Sequence, residues 1–173
     1  WSLTRTGSIP GDVVEQVERR LTGILHEHAE SPVIVAHALA VFANVVALQG
    51  KAAKRFGSVE LFQEVLQAAE LQARDRTCQK LAMHALRLAS FRDDVDAASL
   101  LVTATRALDA FGDDVRLVED AAVVCYNVWE KDAASEEKVV EALSRALDQH
   151  SDNKVVQATH FAVTHGQHIT FVK

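Results

Sequence analysis

Proline, cysteine and aromatic residues are all scarce in this chain. Its 173 residues include two prolines, two cysteines and 6% aromatic residues. Cys78 and Cys125 stand in apolar stretches outside any CxxC or metal-ligand spacing, so we expect two reduced core residues of an intracellular, cytoplasmic protein. A disulfide between them has no positive support in the sequence. The chain also lacks an apolar run of about 18 residues and a visible signal peptide, so no transmembrane helix is expected.

Positive charge is in the minority. The chain carries 18 Lys and Arg residues against 24 Asp and Glu residues, for a formal net charge of −6. A nucleic-acid-binding surface is normally basic, so this balance argues against a broad contact with phosphates. The best local basic group is Lys51, Lys54 and Arg55, and its simpler interpretation is a solvated helix face. The polar faces are not rich in lysine, so we expect neither nucleic acid nor a membrane as a partner.

Motifs of catalysis and metal binding are missing as well. The sequence has no GxSxG, P-loop, GxGxxG or HExxH pattern. His26 and His28 are two residues apart and would lie on different faces of a helix, and no acidic or cysteine ligand stands among His160, His165 and His168. We therefore predict no metal, no cofactor and no catalytic activity. An unrecognised helical enzyme or nucleic-acid binder is the weakest alternative, because catalytic groups can also be assembled in space.

Small and medium apolar residues are abundant, and they recur in a repeating arrangement. Hydrophobic residues make up 49% of the chain. The stretches RALDAFGDDV (106–115) and RALDQHSDNK (145–154) match at an offset of 39 residues, and each follows an amphipathic run. Four amphipathic segments end in short polar turns, and a more apolar helix follows each turn. This alternation is what a stacked helical array requires. The turns lie near Glu30, Asp75, Asp113 and Asp152.

Capping and stop signals divide these segments into helices. Ser58 and Ser135 are placed to begin helices, and Gly57, Gly112 and Gly166 fall where helices should end. No segment alternates with a period of two residues, so no strand is predicted. The predicted helices are 10–29, 32–48, 50–56, 58–73, 76–91, 95–111, 114–130, 135–149 and 153–165.

One stretch of the chain resembles a known repeat. In armadillo repeats a long helix ends near A-L-x-x-L-x-N-L, and a short helix and a glycine precede a helix that begins G-a-i-p-x-L-v-x-L-L. The stretch ALAVFANVVALQGKAAKRFGSVELFQEVL (38–66) resembles this boundary, and GSIPGDVVEQV (7–17) resembles its second half. After residue 90 the short helix is lost, and each unit is more similar to a HEAT repeat. The first match is carried by Ala38, Leu39, Phe42, Asn44, Val45, Gly57, Ser58, Val59, Leu61, Phe62, Val65 and Leu66.

The resemblance implies an all-α fold, a right-handed α-solenoid of armadillo/HEAT-like repeats. The chain would form one domain (1–173) of about four units, 7–48, 50–91, 95–130 and 135–166. A generic helical bundle is the structural alternative, and the recurrence of similar stretches favours the solenoid. The chain begins at Trp1 and not at Met, so we expect a fragment of a longer protein.

The resemblance also implies a partner-binding surface. In armadillo proteins the long helices line a concave groove, where an asparagine bonds the backbone of an extended peptide. Asn44 and Asn127 occupy this position, and Ser90 stands at a corresponding place in another unit. Asparagine inside a helix costs roughly 0.5 kcal/mol against alanine, so each needs a reason. The other interpretation is a side chain bonded to a neighbouring loop carbonyl, and the sequence leaves both open.

His37, His84 and Tyr126 would lie on or near the same groove. They offer polar or aromatic contacts to a partner, although each can instead be a satisfied structural residue. Nuclear-import receptors of the armadillo family place a tryptophan one turn before the asparagine. Here those positions hold Ala40 and Val123, so a receptor of that kind is not expected.

We therefore expect a non-enzymatic scaffold or adaptor. It would bind a protein or an extended peptide along the concave surface of helices 32–48, 76–91, 114–130 and 153–165. The alternative is a structural subunit held in a large complex through the ends of the solenoid, since no strongly polar first or last helix covers them. Self-association or further repeats would also cover these ends. The tail QHITFVK (167–173) is either ordered or a linker.

Overall fold

A computed structural model describes residues 11–49, 57–92 and 94–170 of the chain. In these ranges the regular structure is helical, with eight α-helices, one 3-10 turn and no strand, which confirms the prediction of an all-α fold. The predicted helix 50–56 lies outside the described residues. The α-helices are α1 (Gly11–Glu27), α2 (Pro32–Gln49), α3 (Val59–Leu71), α4 (Arg76–Ala89), α5 (Ala97–Phe111), α6 (Val115–Lys131), α7 (Glu136–Gln149) and α8 (Lys154–Thr164), and the 3-10 turn is Ala133–Ser135.

Short polar side chains set the start of most helices. The Ser58 hydroxyl accepts the backbone N–H of Leu61, and the carboxylate of Asp75 accepts that of Cys78. Asp96, Asp114 and Asn153 cap α5, α6 and α8 in the same way. Each cap satisfies a backbone donor that has no partner within its own helix. Ser135 precedes α7 but makes no capping bond, and its hydroxyl donates to the carbonyl of Asp132 instead.

Gly57 has a backbone conformation and a close side-chain contact that only glycine tolerates. Its φ is 97°, and a Cβ at this position would lie 2.6 Å from Cε2 of Phe62. Its N–H donates to the Glu18 carboxylate at 2.6 Å, which ties the start of α3 to α1. Gly57 therefore joins two helices that are about 40 residues apart in the sequence.

The helices pack in two rows. The odd row consists of α1, α3, α5 and α7, each packed on the next odd helix, and the even row consists of α2, α4, α6 and α8, packed likewise. Consecutive helices also pair across the rows, as α1 with α2, α3 with α4, α5 with α6 and α7 with α8. Among the described residues, one apolar cluster runs between the rows from Leu21 in α1 to Val163 in α8.

Helix α6 is the most enclosed element of the fold. It packs against α4, α5, α7 and α8, and every residue from Asp120 to Trp129 is buried. A helix that is apolar on several faces needs this cover. Helix α2 is more apolar than α6 but less covered, and its Val33, Ile34 and Val41 side chains remain exposed.

Candidate functional site

The six residues predicted to bind a partner lie in two different environments. His37 and Asn44 are exposed on α2, and the side chain of His84 on α4 is 45% exposed. Asn127, Ser90 and Tyr126 are buried, with exposed fractions of 2%, 1% and 1%. The structure therefore divides the predicted site between a surface on α2 and α4 and an interior region around α6.

Asn127 and Ser90 bond to each other. The Asn127 side-chain amide donates to the Ser90 hydroxyl at 2.6 Å, and this hydroxyl donates to the carbonyl of Arg87 at 2.9 Å. Ser90 is the C-cap residue of α4, so the pair ties the end of α4 to the last turns of α6. Neither side chain reaches the surface in this structure, in contrast to the predicted peptide contact. The partner of Asn127 is a hydroxyl, and not the loop carbonyl of the other interpretation.

The carbonyl oxygen of Asn127 is left without a partner. Oδ1 is buried and has no hydrogen bond to the residues that the structure describes. An unsatisfied buried acceptor of this kind costs about 1–3 kcal/mol relative to a bonded one. The pair with Ser90 is therefore only half satisfied.

Acidic residues of α6 pair with a basic stripe on α4. Asp120, with a side chain 10% exposed, accepts from Arg87 at 2.6 Å and from Nδ1 of His84 at 3.1 Å. The Lys80 ammonium lies 2.9 Å from the Asp114 carboxylate. Lys80, His84 and Arg87 lie on successive turns and share a face of α4. Their spacing indicates this stripe in the sequence, but their partners belong to another helix and could not be assigned.

Asp114 is one of four described aspartates whose pKa the structure lowers, with Asp94, Asp96 and Asp113. Burial raises the pKa of Asp114, but hydrogen bonds from Lys80 and from the backbone N–H groups of Leu117 and Arg116 outweigh it. Its pKa therefore lies below the ordinary value of 3.8. Asp114 is ionised at neutral pH and serves both as the cap of α6 and as the partner of Lys80.

The outward stripe of α2 consists of Val33, His37 and Asn44. Val33 is 65% exposed, and its carbonyl lies 2.7 Å from Nδ1 of His37. Because a carbonyl only accepts, Nδ1 carries the proton, and Nε2 remains as an acceptor when the imidazole is neutral. The stripe therefore presents an aliphatic group, an imidazole and an amide on one face, a mixture suited to contact with a polypeptide.

Tyr126 is bonded to the C-terminal tail. Its hydroxyl donates to Glu130 and accepts the backbone N–H of Ile169 at 2.8 Å. Burial, followed by the bond to Glu130, raises the pKa of Tyr126 to about 12. Nδ1 of His168 lies 3.0 Å from the Glu130 carboxylate. Residues 167–170 of the tail therefore lie against α6, and residues 171–173 lie outside the described residues.

Grooves lie between neighbouring helices elsewhere on the surface. One of about 690 Å³ separates α3 from α5, and one of about 330 Å³ separates α5 from α7. A third, of about 330 Å³, lies between α1 and α2 and is lined mainly by aliphatic side chains, among them Ile24, Ile34 and Val41. The first two grooves open between helices of the odd row.

The histidines that suggested a metal site have separate partners. Nδ1 of His26 contacts Glu64 at 3.1 Å, Nε2 of His160 contacts the Ser144 hydroxyl at 3.0 Å, and the His165 ring stacks on Phe161. Among the described residues, no group of three or more His, Cys, Asp or Glu side chains is placed to hold a metal ion. In the same ranges no helix combines the length and the apolar character needed to cross a bilayer.

Comparisons of the chain with protein-family models, with curated proteins and with solved structures find no match.

Proposed function

We propose that the chain is a non-enzymatic scaffold that binds a protein or an extended peptide along its even row. In this proposal the two rows form a curved, right-handed α-solenoid of armadillo/HEAT-like units, with the even row on the concave side. The support comes from hydrogen bonds that recur at equivalent positions in successive helix pairs.

The recurrence is clearest at the helix starts of the even row. Lys80 is the fifth residue of α4 and bonds Asp114, the N-cap of α6, 34 residues later. Glu119 is the fifth residue of α6, and it accepts from Asn153, the N-cap of α8, again 34 residues later. Equivalent positions thus make equivalent contacts although the residue types differ, as expected of stacked repeats and not of an irregular bundle.

The odd row carries a second recurring bond. Arg106 of α5 pairs with Glu70 of α3, and Arg145 of α7 pairs with Asp109 of α5. In both cases the acid precedes the arginine by 36 residues. These exposed pairs add little stability on their own, but their spacing repeats one structural unit along the row.

The proposed binding surface combines the exposed stripe of α2 with His84 of α4. Val33, His37 and Asn44 offer aliphatic and hydrogen-bonding groups at one end of the even row. Ser90 and Asn127 are left out because they are buried against each other, and Tyr126 already bonds the tail.

The test compares two exposed amide residues that lie inside helices of different rows. Asn44→Arg changes the even row and Gln67→Arg changes the odd row, and neither side chain makes a hydrogen bond within the described residues. We expect both variants to keep the wild-type circular dichroism. Partners captured from source lysate should be lost from Asn44→Arg and retained by Gln67→Arg. Equal capture by both folded variants would contradict the proposed surface.

A second candidate function is a structural subunit held through the end of the array. The groove between α1 and α2 favours it, because Ile24, Ile34 and Val41 are exposed there. Exposed apolar patches commonly mark interfaces. Under this candidate function, the chain should associate as its concentration rises. Val41→Asp should abolish this association, and Val102→Asp on the odd row should leave it intact. A monodisperse monomer in light scattering would count against self-association.

A further inference from the structure

The chain reverses direction at the end of α8 and returns to the even row. Gly166 has a φ of 62°, its N–H donates to the carbonyl of Val163, and the N–H of Gln167 donates to that of Ala162 at 2.8 Å. This pair of bonds is the Schellman motif, which ends a helix with a residue in the left-handed conformation. The motif directs the described part of the tail, residues 167–170, back across the end of α6.

The tail makes three kinds of contact with the region around α6. Its backbone is held where Ile169 donates its N–H to the Tyr126 hydroxyl at 2.8 Å. The imidazole of His168 lies 3.0 Å from the Glu130 carboxylate and 6.0 Å, ring to ring, from Trp129. The Ile169 side chain is half-buried against the main apolar cluster.

These contacts use one connected group of side chains. The Tyr126 hydroxyl accepts from the tail backbone and donates to Glu130, and Glu130 also accepts from His168. Tyr126 and Glu130 are one helical turn apart and therefore lie on the same face of α6. Together they accept hydrogen bonds from a backbone N–H and from a donor side chain on adjacent residues of an extended segment. A polypeptide supplies both of these donors.

We propose that Tyr126, Trp129 and Glu130 form a binding site for an extended peptide, and that the tail occupies it as an intramolecular ligand. The recognised segment carries an imidazole followed by a β-branched aliphatic residue with a free backbone N–H. A partner peptide of this chemistry binds only when the tail leaves. The inference rests on the proposed function, because it names a part of the even row and the class of segment bound there.

The tail is suited to exchange. Among its described residues, Gln167, His168 and Thr170 are exposed and Ile169 is half-buried, so residues 167–170 lose little buried surface when the tail opens. Only molecules with an open tail can bind an added peptide. The apparent Kd therefore equals the Kd of the open form divided by the fraction of open molecules.

The experiment opens the tail of the full chain and offers the site a peptide. Ile169→Pro removes the N–H that Tyr126 accepts, and Thr170→Ala is the control in the same segment. The probe is a fluorescent peptide with the sequence of residues 165–173, HGQHITFVK. We expect Ile169→Pro to bind it at least about threefold more tightly than wild type, the size expected from loss of one hydrogen bond in the closed state. Thr170→Ala should bind like wild type.

Further variants test the site itself. In the Ile169→Pro chain, Tyr126→Phe and Glu130→Gln should each weaken peptide binding. Glu137→Gln, at an exposed position of α7, should not. A second way to open the tail is Gly166→Ala, since no atom lies near its added Cβ and only the left-handed backbone resists alanine. Asparagine tolerates this conformation, so Gly166→Asn should bind the peptide less tightly than Gly166→Ala.

Two results would overturn the proposal. One is equal peptide binding by wild type and by a folded Ile169→Pro chain, and the other is binding that survives Tyr126→Phe. These outcomes are separable from failure of the proposed function. If Asn44→Arg loses its lysate partners but the opened chain does not bind the peptide, only the tail site is contradicted. If the opened chain binds the peptide but Asn44→Arg captures the same lysate partners as wild type, only the broader α2 surface is contradicted.

Discussion

Gly57 shows how a single residue joins the first two odd helices. Its φ of 97° and the 2.6 Å approach of the Phe62 ring to an added Cβ both disfavour any larger side chain. Gly57→Ala should therefore lower the free energy of unfolding by about 1–3 kcal/mol, because strain and the clash add. Urea unfolding followed by circular dichroism measures the change.

Gly23 is the matched control for this substitution. It lies within α1, and a Cβ there meets no atom within 4 Å. Gly23→Ala should raise the free energy of unfolding by about 0.5–1 kcal/mol, since alanine favours a helix interior. Similar shifts in both variants would contradict the backbone explanation.

The buried pair of Ser90 and Asn127 predicts a non-additive result. Ser90→Ala leaves the Asn127 amide buried without its acceptor and should cost about 1–3 kcal/mol. Once Asn127 is replaced by leucine, Ser90→Ala should cost clearly less, because no buried donor is left unpaired. A double-mutant cycle by urea unfolding measures the coupling. Additive costs would mean that the 2.6 Å bond contributes no net stability.

These residues also mark how far the site could be predicted. Asparagine is unfavourable inside a helix, so the sequence indicates that Asn44 and Asn127 serve a structural or binding role. It also places both residues on even helices. It cannot distinguish an exposed amide from a buried one, because both have the same local sequence setting. Asn44 is exposed on the end helix α2, whereas Asn127 is covered in α6, which packs against four other helices. The number of neighbouring helices decided which of the two is available.

At the scale of the element, helix starts were largely predictable. Ser58, Asp75 and Asn153 cap the helices that follow them, because a short acceptor side chain reaches the first free N–H groups from its own backbone. The exact ends were less predictable, and α1 ends at Glu27, two residues before the predicted end. Helix ends fray, and their assigned positions commonly differ by one or two residues.

Asp114 carries the prediction of pH dependence. Asp114→Asn keeps the cap of α6, because asparagine caps as well as aspartate, but it removes the charge that faces Lys80. The folded-state pKa of Asp114 lies below 3.8, so its ionised form adds stability above that pH, and this stability is lost as the pH falls through the folded value. Wild type should exceed Asp114→Asn in stability at pH 7, and the gap should close in acid.

Asp75→Asn is the control for this titration. It also changes a capping aspartate, but Asp75 makes no ion pair within the described residues. Urea unfolding of the three proteins from pH 7 to pH 2 should show a smaller gap for Asp75→Asn. A gap for Asp114→Asn that persists unchanged to pH 2 would contradict a role for its charge.

At the scale of the whole molecule, the two cysteines report how the rows open. Both thiols are buried in the shared core, and burial raises the pKa of each to about 12. The reactive thiolate is therefore scarce and enclosed in the folded protein. Labelling with a disulfide reagent at pH 8 should be slow in buffer and rapid in urea. Fast labelling of Cys125 in the folded protein would mean that α6 opens locally.

Local sequence by itself determined the all-α class, most helix starts and the left-handed backbone at Gly57 before α3. Capping and φ preferences act over only a few residues, so they can be recognised without the tertiary structure. Only the tertiary structure decided which polar groups face outward. Asp120 meets Arg87 and His84, Asn127 meets Ser90, and the tail meets Tyr126 across 33 to 43 residues of sequence. Such pairs depend on how helices stack, and the stacking follows from burial of apolar faces summed over the whole chain.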